Sequence, residues 1–142
     1  MAILMRHRLS TLIRLCVLGC VGLVWAAGSD VGASAPSASL QEQGDALVKN
    51  VEDMVAHGGM GDGNAIIHHC AEASRIAEAM VQQAGATATE DARRSLNEVV
   101  VQCRRVAERG VQADPGALLN PAIKARIAAR QSIRAMGLVM PR

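Results

Sequence analysis

Three of the chain's four histidines stand around one glycine-rich turn, His57-Gly58-Gly59-Met60-Gly61-Asp62-Gly63 followed by Ile67-His68-His69-Cys70. Imidazole, thioether and thiol are donors for borderline and soft transition ions, not for calcium or magnesium, which take oxygen. His57 closes one predicted helix and His68-His69 opens the next, so the turn brings all three to one end of a helical pair. His57 falls three residues after the apolar position Met54, and His69 three after Ile66, so each flanks a buried seam while His68 points further out. The spacing predicts a site for Cu(II), Ni(II) or Zn(II) on His57 and His69, with His68, Met60, or a carboxylate such as Asp53 or Asp62 beside them. A plainer role competes: an imidazole at a helix C-terminus interacts well with the macrodipole, and His68 can simply be solvated.

Cys70 and Cys103 form the second constellation. Residues equidistant from a helical turn lie at the same height, and the midpoint of these two falls in the Gly85-Ala86-Thr87 turn. Both occupy seam positions, so they face one another within reach of a disulfide. Such a bridge stabilises by about 2–4 kcal/mol. Two buried free thiols, or a thiolate pair on a metal, are the alternatives.

The elements that position these groups are helices. Apolar residues recur at steps of three and four in four segments, and no alternating strand pattern occurs. The first segment, residues 40–57, carries Leu47, Val51, Met54 and Val55 and ends at Gly58-Gly59. The second begins after Asp62 or Asn64, carries Ile66, Cys70, Ala73, Ala77, Met80 and Ala84, and stops at Gly85. Thr87-Ala88-Thr89-Glu90 fits a capping box for the third, whose seam is Ala92, Leu96, Val99, Cys103 and Val106 before Gly110. Asp114-Pro115 offers a cap and a first-turn proline. Because proline disrupts helix interiors, the fourth helix proper is expected to begin at Pro121, capped by Asn120, with Ala122, Ala125, Ala129, Ile133 and Met136 inward. Short connections make the whole an all-α, antiparallel up-down-up-down four-helix bundle over residues 40–140. The echo of Val55-Ala56-His57-Gly58 in Ala107-Glu108-Arg109-Gly110 suggests that the two hairpins are a diverged repeat.

The 142-residue chain has no Phe or Tyr and a single tryptophan, Trp25. Trp25 lies in an N-terminal stretch with Arg6, His7, Arg8 and Arg14 ahead of an apolar run, residues 15–25, too short to span a bilayer. Residues 1–27 therefore read as an export signal, with a signal anchor or a lipoprotein cleavage at Cys20 as rivals. Residues 28–39 are small and polar, a flexible linker. Export places the protein in the periplasm or outside the cell, where a disulfide is stable.

Formal net charge is +2, but it is unevenly spread. Ten acids between positions 30 and 91 face only Lys49 and Arg75, whereas from position 92 onward Glu98, Glu108 and Asp114 face ten lysines and arginines. An acidic hairpin docking on a basic one follows. Arg126, Arg130 and Arg134 form an i, i+4 stripe whose alternative use is an acidic protein or anionic lipid. Nucleic acid is not expected, because no stacking aromatics accompany the cations. G-x-S-x-G, H-E-x-x-H, P-loop and C-x-x-C motifs are all missing, and an enzyme is not expected.

The stretch Ala56-His57-Gly58-Gly59-Met60-Gly61, with Ile67-His68-His69-Cys70-Ala71-Glu72-Ala73, resembles the small metal-binding proteins of the bacterial periplasm. Those are histidine-rich four-helix bundles that bind divalent metals including copper. The likeness covers roughly residues 47–80, with a fainter echo over 96–136. It implies that His57 and His69 fall on ligand positions, with His68 a neighbour. The chain departs from the pattern at Ser74, Arg75 and Ile76, where the family carries helical histidines, at Cys70, where alanine is usual, and at Arg109, which replaces the second turn histidine. The resemblance thus implies a bundle reduced to one site, or one that kept the fold without the metal.

Overall fold

The computed structural model describes residues 38–141. The expected export signal, and residues 28–37 of the expected linker, lie outside the described residues. Four helices follow one another: α1 (Leu40–Gly59), α2 (Gly63–Ala84), α3 (Glu90–Arg109) and α4 (Pro115–Ala135), with one 3-10 turn, Gly85–Thr87, between α2 and α3. They form the antiparallel four-helix bundle that the apolar periodicity requires. Each helix packs on its two neighbours in the ring α1–α2–α3–α4, and α4 closes the ring on α1.

The core is the set of seam residues. Leu47, Val51 and Met54 of α1 meet Ile66, Ala73, Ala77 and Met80 of α2, Leu96, Val99 and Val106 of α3, and Leu118, Ala122, Ala125, Ala129 and Ile133 of α4, all fully buried. Without aromatic rings, each large side chain contributes about 1.5–3 kcal/mol of transfer free energy. Alanine runs on α2 and α4 leave room for the leucine, isoleucine and methionine side chains of the facing helices. Among the described residues no helix is long and apolar enough to cross a membrane.

The first three helix starts, like the fourth, are set by side chains satisfying free N–H groups. Ser39 and Glu42 form a reciprocal capping box on α1, the Ser39 hydroxyl accepting from Glu42 N at 3.2 Å and the Glu42 carboxylate from Ser39 N at 2.7 Å. Asp62 caps α2, its Oδ1 accepting from Ala65 N at 2.9 Å. Thr89 caps α3 through Ala92 N. The expected capping box therefore does not form at Thr87, whose hydroxyl donates instead to the Ala84 carbonyl at 2.6 Å. Glu90 is consequently the first residue of α3, too early to reach back to the cap.

The fourth helix differs more from expectation. It begins at Pro115, not Pro121, and runs through Pro121 without ending. Asp114 Oδ1 accepts from Gly116 N and Ala117 N, Pro115 occupies the first turn where no N–H is needed, and Leu118 is fully buried. That cap and that burial hold a turn and a half of helix ahead of Pro121, which is itself buried. Beyond α4, the Gln41 amide donates to the Val139 carbonyl at 2.9 Å and accepts from Val139 N at 3.0 Å, fastening the C-terminal segment to α1.

Candidate metal centre

The turn between α1 and α2 is tight. The His57 carbonyl accepts from both Met60 N and Asp62 N at 3.0 Å, and Gly61 takes a φ of +81°, which favours glycine. Gly58 is buried at this end against Leu119 of α4 and Ile66 of α2; a Cβ on it would stand 2.7 Å from Leu119 Cδ1. Side-chain packing from α4 thus fixes the end of α1 that carries His57.

Across this turn the His57 and His69 rings stack, centroids 5.4 Å apart and planes 20° from parallel. His68 lies edge-on to His69 with centroids 5.3 Å apart. His57 and His69 are half-buried and His68 is exposed. His69 Nδ1 sits 3.1 Å from Asn50 Oδ1, an acceptor, so Nδ1 carries the proton and Nε2 keeps its lone pair. Burial pushes the His69 imidazole below its ordinary pKa, opposed by the nearby Asp53 carboxylate.

Asp53 belongs to the same cluster electrostatically. The Lys49 ammonium hydrogen-bonded to it holds its carboxyl below the usual range, desolvation opposes this, and His69 and His57 add smaller pulls in the lowering direction. Lys49 therefore already occupies Asp53. Asp62 is occupied by capping α2. Met60 is 71% exposed at the C-cap of α1, beside the turn. Among the described residues no three histidine, cysteine, aspartate or glutamate side chains form a ready-made ion cage.

The donor set fits a borderline ion in an open site. Two imidazoles from adjoining helices are preset as neighbours, with one tautomer fixed by a partner amide as metal-ligating histidines commonly are. Imidazole lone pairs lie in the ring plane, so near-parallel stacked rings do not aim at a common point. One ring must turn about χ2, a broad torsion with little cost. Solvent, His68 or the Met60 thioether would fill the remaining positions.

Asn50 was not among the residues singled out by spacing. Its signal was available, since Asn50 and His57 lie two helical turns apart on one face of α1. Cys70 and Cys103 are both buried and face one another across α2 and α3, and the Cys103 thiol, followed by burial, pushes the Cys70 thiol far up. They are present as thiols. Two members of the arginine stripe are used internally: Arg126 lies 3.5 Å and Arg130 2.7 Å from the Glu52 carboxylate of α1. The docking of acidic on basic hairpin expected from the charge pattern is thus carried by Glu52, while the other ion pairs among the described residues lie within single helices. Arg134 makes no ion pair among the described residues.

No protein family, curated protein or solved structure matches this chain.

Proposed function

We propose that the protein binds a divalent transition metal without catalysis, through His57 and His69 at the α1–α2 turn, with His68 and Met60 as further donors. The observation that carries this reading is the juxtaposition of two imidazoles 5.4 Å apart, one with its Nδ1 engaged by Asn50. Copper is favoured among the candidate ions, because nitrogen sites follow an affinity order that peaks at Cu(II), with Ni(II) and Zn(II) behind. The acidic first hairpin attracts cations in general, and the exposed turn lets an ion enter and leave. These properties suit buffering or tolerance of a metal in the periplasm or outside the cell, as in the small metal-binding proteins whose His-Gly turn this chain resembles. Within the same reading, export leads to oxidation of Cys70 and Cys103 to a disulfide that braces α2 against α3.

Calorimetric titration with Cu(II) and Ni(II), beside a His57→Ala/His69→Ala double variant, tests the proposal. Saturable binding by the parent and its loss in the variant are expected. Identical isotherms for the two proteins would remove the site.

A further inference from the structure

We infer that the groove between α3 and α4 binds a phosphate-bearing anion, held by Arg105 and Arg109 on α3 and Lys124 on α4. The inference is independent of the histidine site. It starts from where the cations are used. Among the described residues, Lys49, Arg75, Arg93, Arg94, Arg126 and Arg130 each have an acidic partner within 4.0 Å. Five have none, and four of those, Arg104, Arg105, Arg109 and Lys124, gather on the C-terminal half of α3 and the facing stretch of α4. The fifth, Arg134, lies further along α4.

Three of the clustered four line one polar groove of about 290 Å³, together with Gln102 and Asn120 and the first turn of α4 at Gly116 and Ala117. Its wall is ordered. The Gln102 side chain is only 3% exposed, donates through its amide to Glu98, and presents Oε1 to Arg105 at 3.5 Å. Of the three acids from position 92 onward, Glu98 is engaged by Gln102, Asp114 by the Gly116 and Ala117 amides it caps, and Glu108 does not line the groove. None of the three forms an ion pair with Arg105, Arg109 or Lys124 among the described residues.

Charge and shape select the ligand. Arg105 and Arg109 stand one turn apart on one helix face, and Lys124 approaches from the opposite wall. A single carboxylate brings one negative charge and two oxygens to this arrangement. A phosphate group brings close to two charges and three strong acceptor oxygens at neutral pH, and guanidinium groups engage such oxygens in pairs. A groove of this size accepts a compact phosphate, free or carried as the phosphomonoester of a lipid headgroup, but not a helix. The groove is open to solvent, so ionic strength screens the interaction and has to be held fixed.

Amide chemical shifts of the folded protein, followed during titration with inorganic phosphate at constant ionic strength set by chloride, test the inference. Saturable shifts confined to Arg105, Arg109, Gly116, Ala117, Asn120 and Lys124 are expected, with binding weakened by about tenfold or more in Arg105→Gln/Lys124→Gln. Arg134→Gln removes an equally unpaired cation elsewhere and is expected to bind as the parent does. A second arm uses vesicles of phosphatidic acid, whose headgroup is a phosphomonoester, in phosphatidylcholine. Binding to these vesicles that is lost only in the double variant, without a response to free phosphate, assigns the ligand to a lipid headgroup. Shifts that chloride alone reproduces, equal loss in the Arg134 variant, or no response to either probe would overturn the inference.

Discussion

His69 and Asn50 are neighbours across the first helical pair, with Nδ1 of the ring 3.1 Å from Oδ1 of the amide. The contact ties a residue in the first half of α2 to the middle of α1 and sets which ring nitrogen carries the proton. It also explains why His69 stands upright against His57 instead of lying out in solvent beside His68. On its other side Asn50 Nδ2 donates to the Ala46 carbonyl at 2.9 Å, so the amide is held on both sides.

Asn50→Ala removes this support while leaving both imidazoles in place. On the proposed function, Cu(II) or Ni(II) affinity falls by about 10–100-fold, the range for loss of an outer-shell partner. The nitrogen-15 shifts of His69 move toward a mixture of tautomers at the same time. Unchanged affinity with a changed tautomer would show that Asn50 orients the ring for packing only.

Protonation offers a second handle. The His69 pKa is lowered in the fold, chiefly by burial, so the unfolded chain binds the proton more readily. Stability from the neutral imidazole is complete above the unfolded value of about 6.5 and declines as pH falls from there toward the lower folded value. Asp53 acts in the same direction at more acidic pH, since its folded pKa is also lowered, but its pair with Lys49 is exposed and contributes little. Denaturant melts between pH 8 and 5 are expected to lose stability through the histidine window. His69→Asn removes that part of the slope. On the proposed function, metal occupancy is expected to fall over the same range, because protons compete for Nε2.

For the cysteine pair, exposure of the folded protein to a disulfide oxidant is expected to remove two hydrogen masses and abolish labelling by thiol reagents. The reverse reaction is expected to be slow, because both sulfurs are buried. The oxidised form gains about 2–4 kcal/mol over the reduced form in denaturant melts, and Cys103→Ser loses that difference. Two thiols persisting under oxidant would leave the pair as ordinary core residues.

Much of the bundle is legible from periodicity. Every seam residue chosen on α2 and α3 is buried, from Ile66 to Ala84 and from Ala92 to Val106, because a helix without aromatics has few other ways to hide apolar surface. The heights of His57 against His69 and of Cys70 against Cys103 follow from counting residues either side of a short turn. Ring orientation does not follow, because stacking depends on Asn50 and on the packing of Gly58 beneath Leu119. The partners of Arg126 and Arg130 depend on how α4 closes against α1, a contact between residues far apart in the chain. A local pattern could mark the stripe but not the single glutamate that receives it.

Pro121 is where local chemistry misleads most, and it yields the last prediction. A proline in a helix interior lacks the N–H that would meet the carbonyl four residues earlier, here that of Ala117. The helix nevertheless passes through it, held by the Asp114 cap and the buried Leu118 on the near side and by Ala122 and Ala125 on the far side. The proline is therefore tolerated at a cost met by its surroundings. Pro121→Ala restores the donor and the better helix propensity, set against a small loss of buried ring surface. A net gain of about 1–2 kcal/mol in denaturant melts is expected, from the roughly 3 kcal/mol propensity difference less that surface. A loss of stability instead would mean that burial of the ring outweighs the missing hydrogen bond.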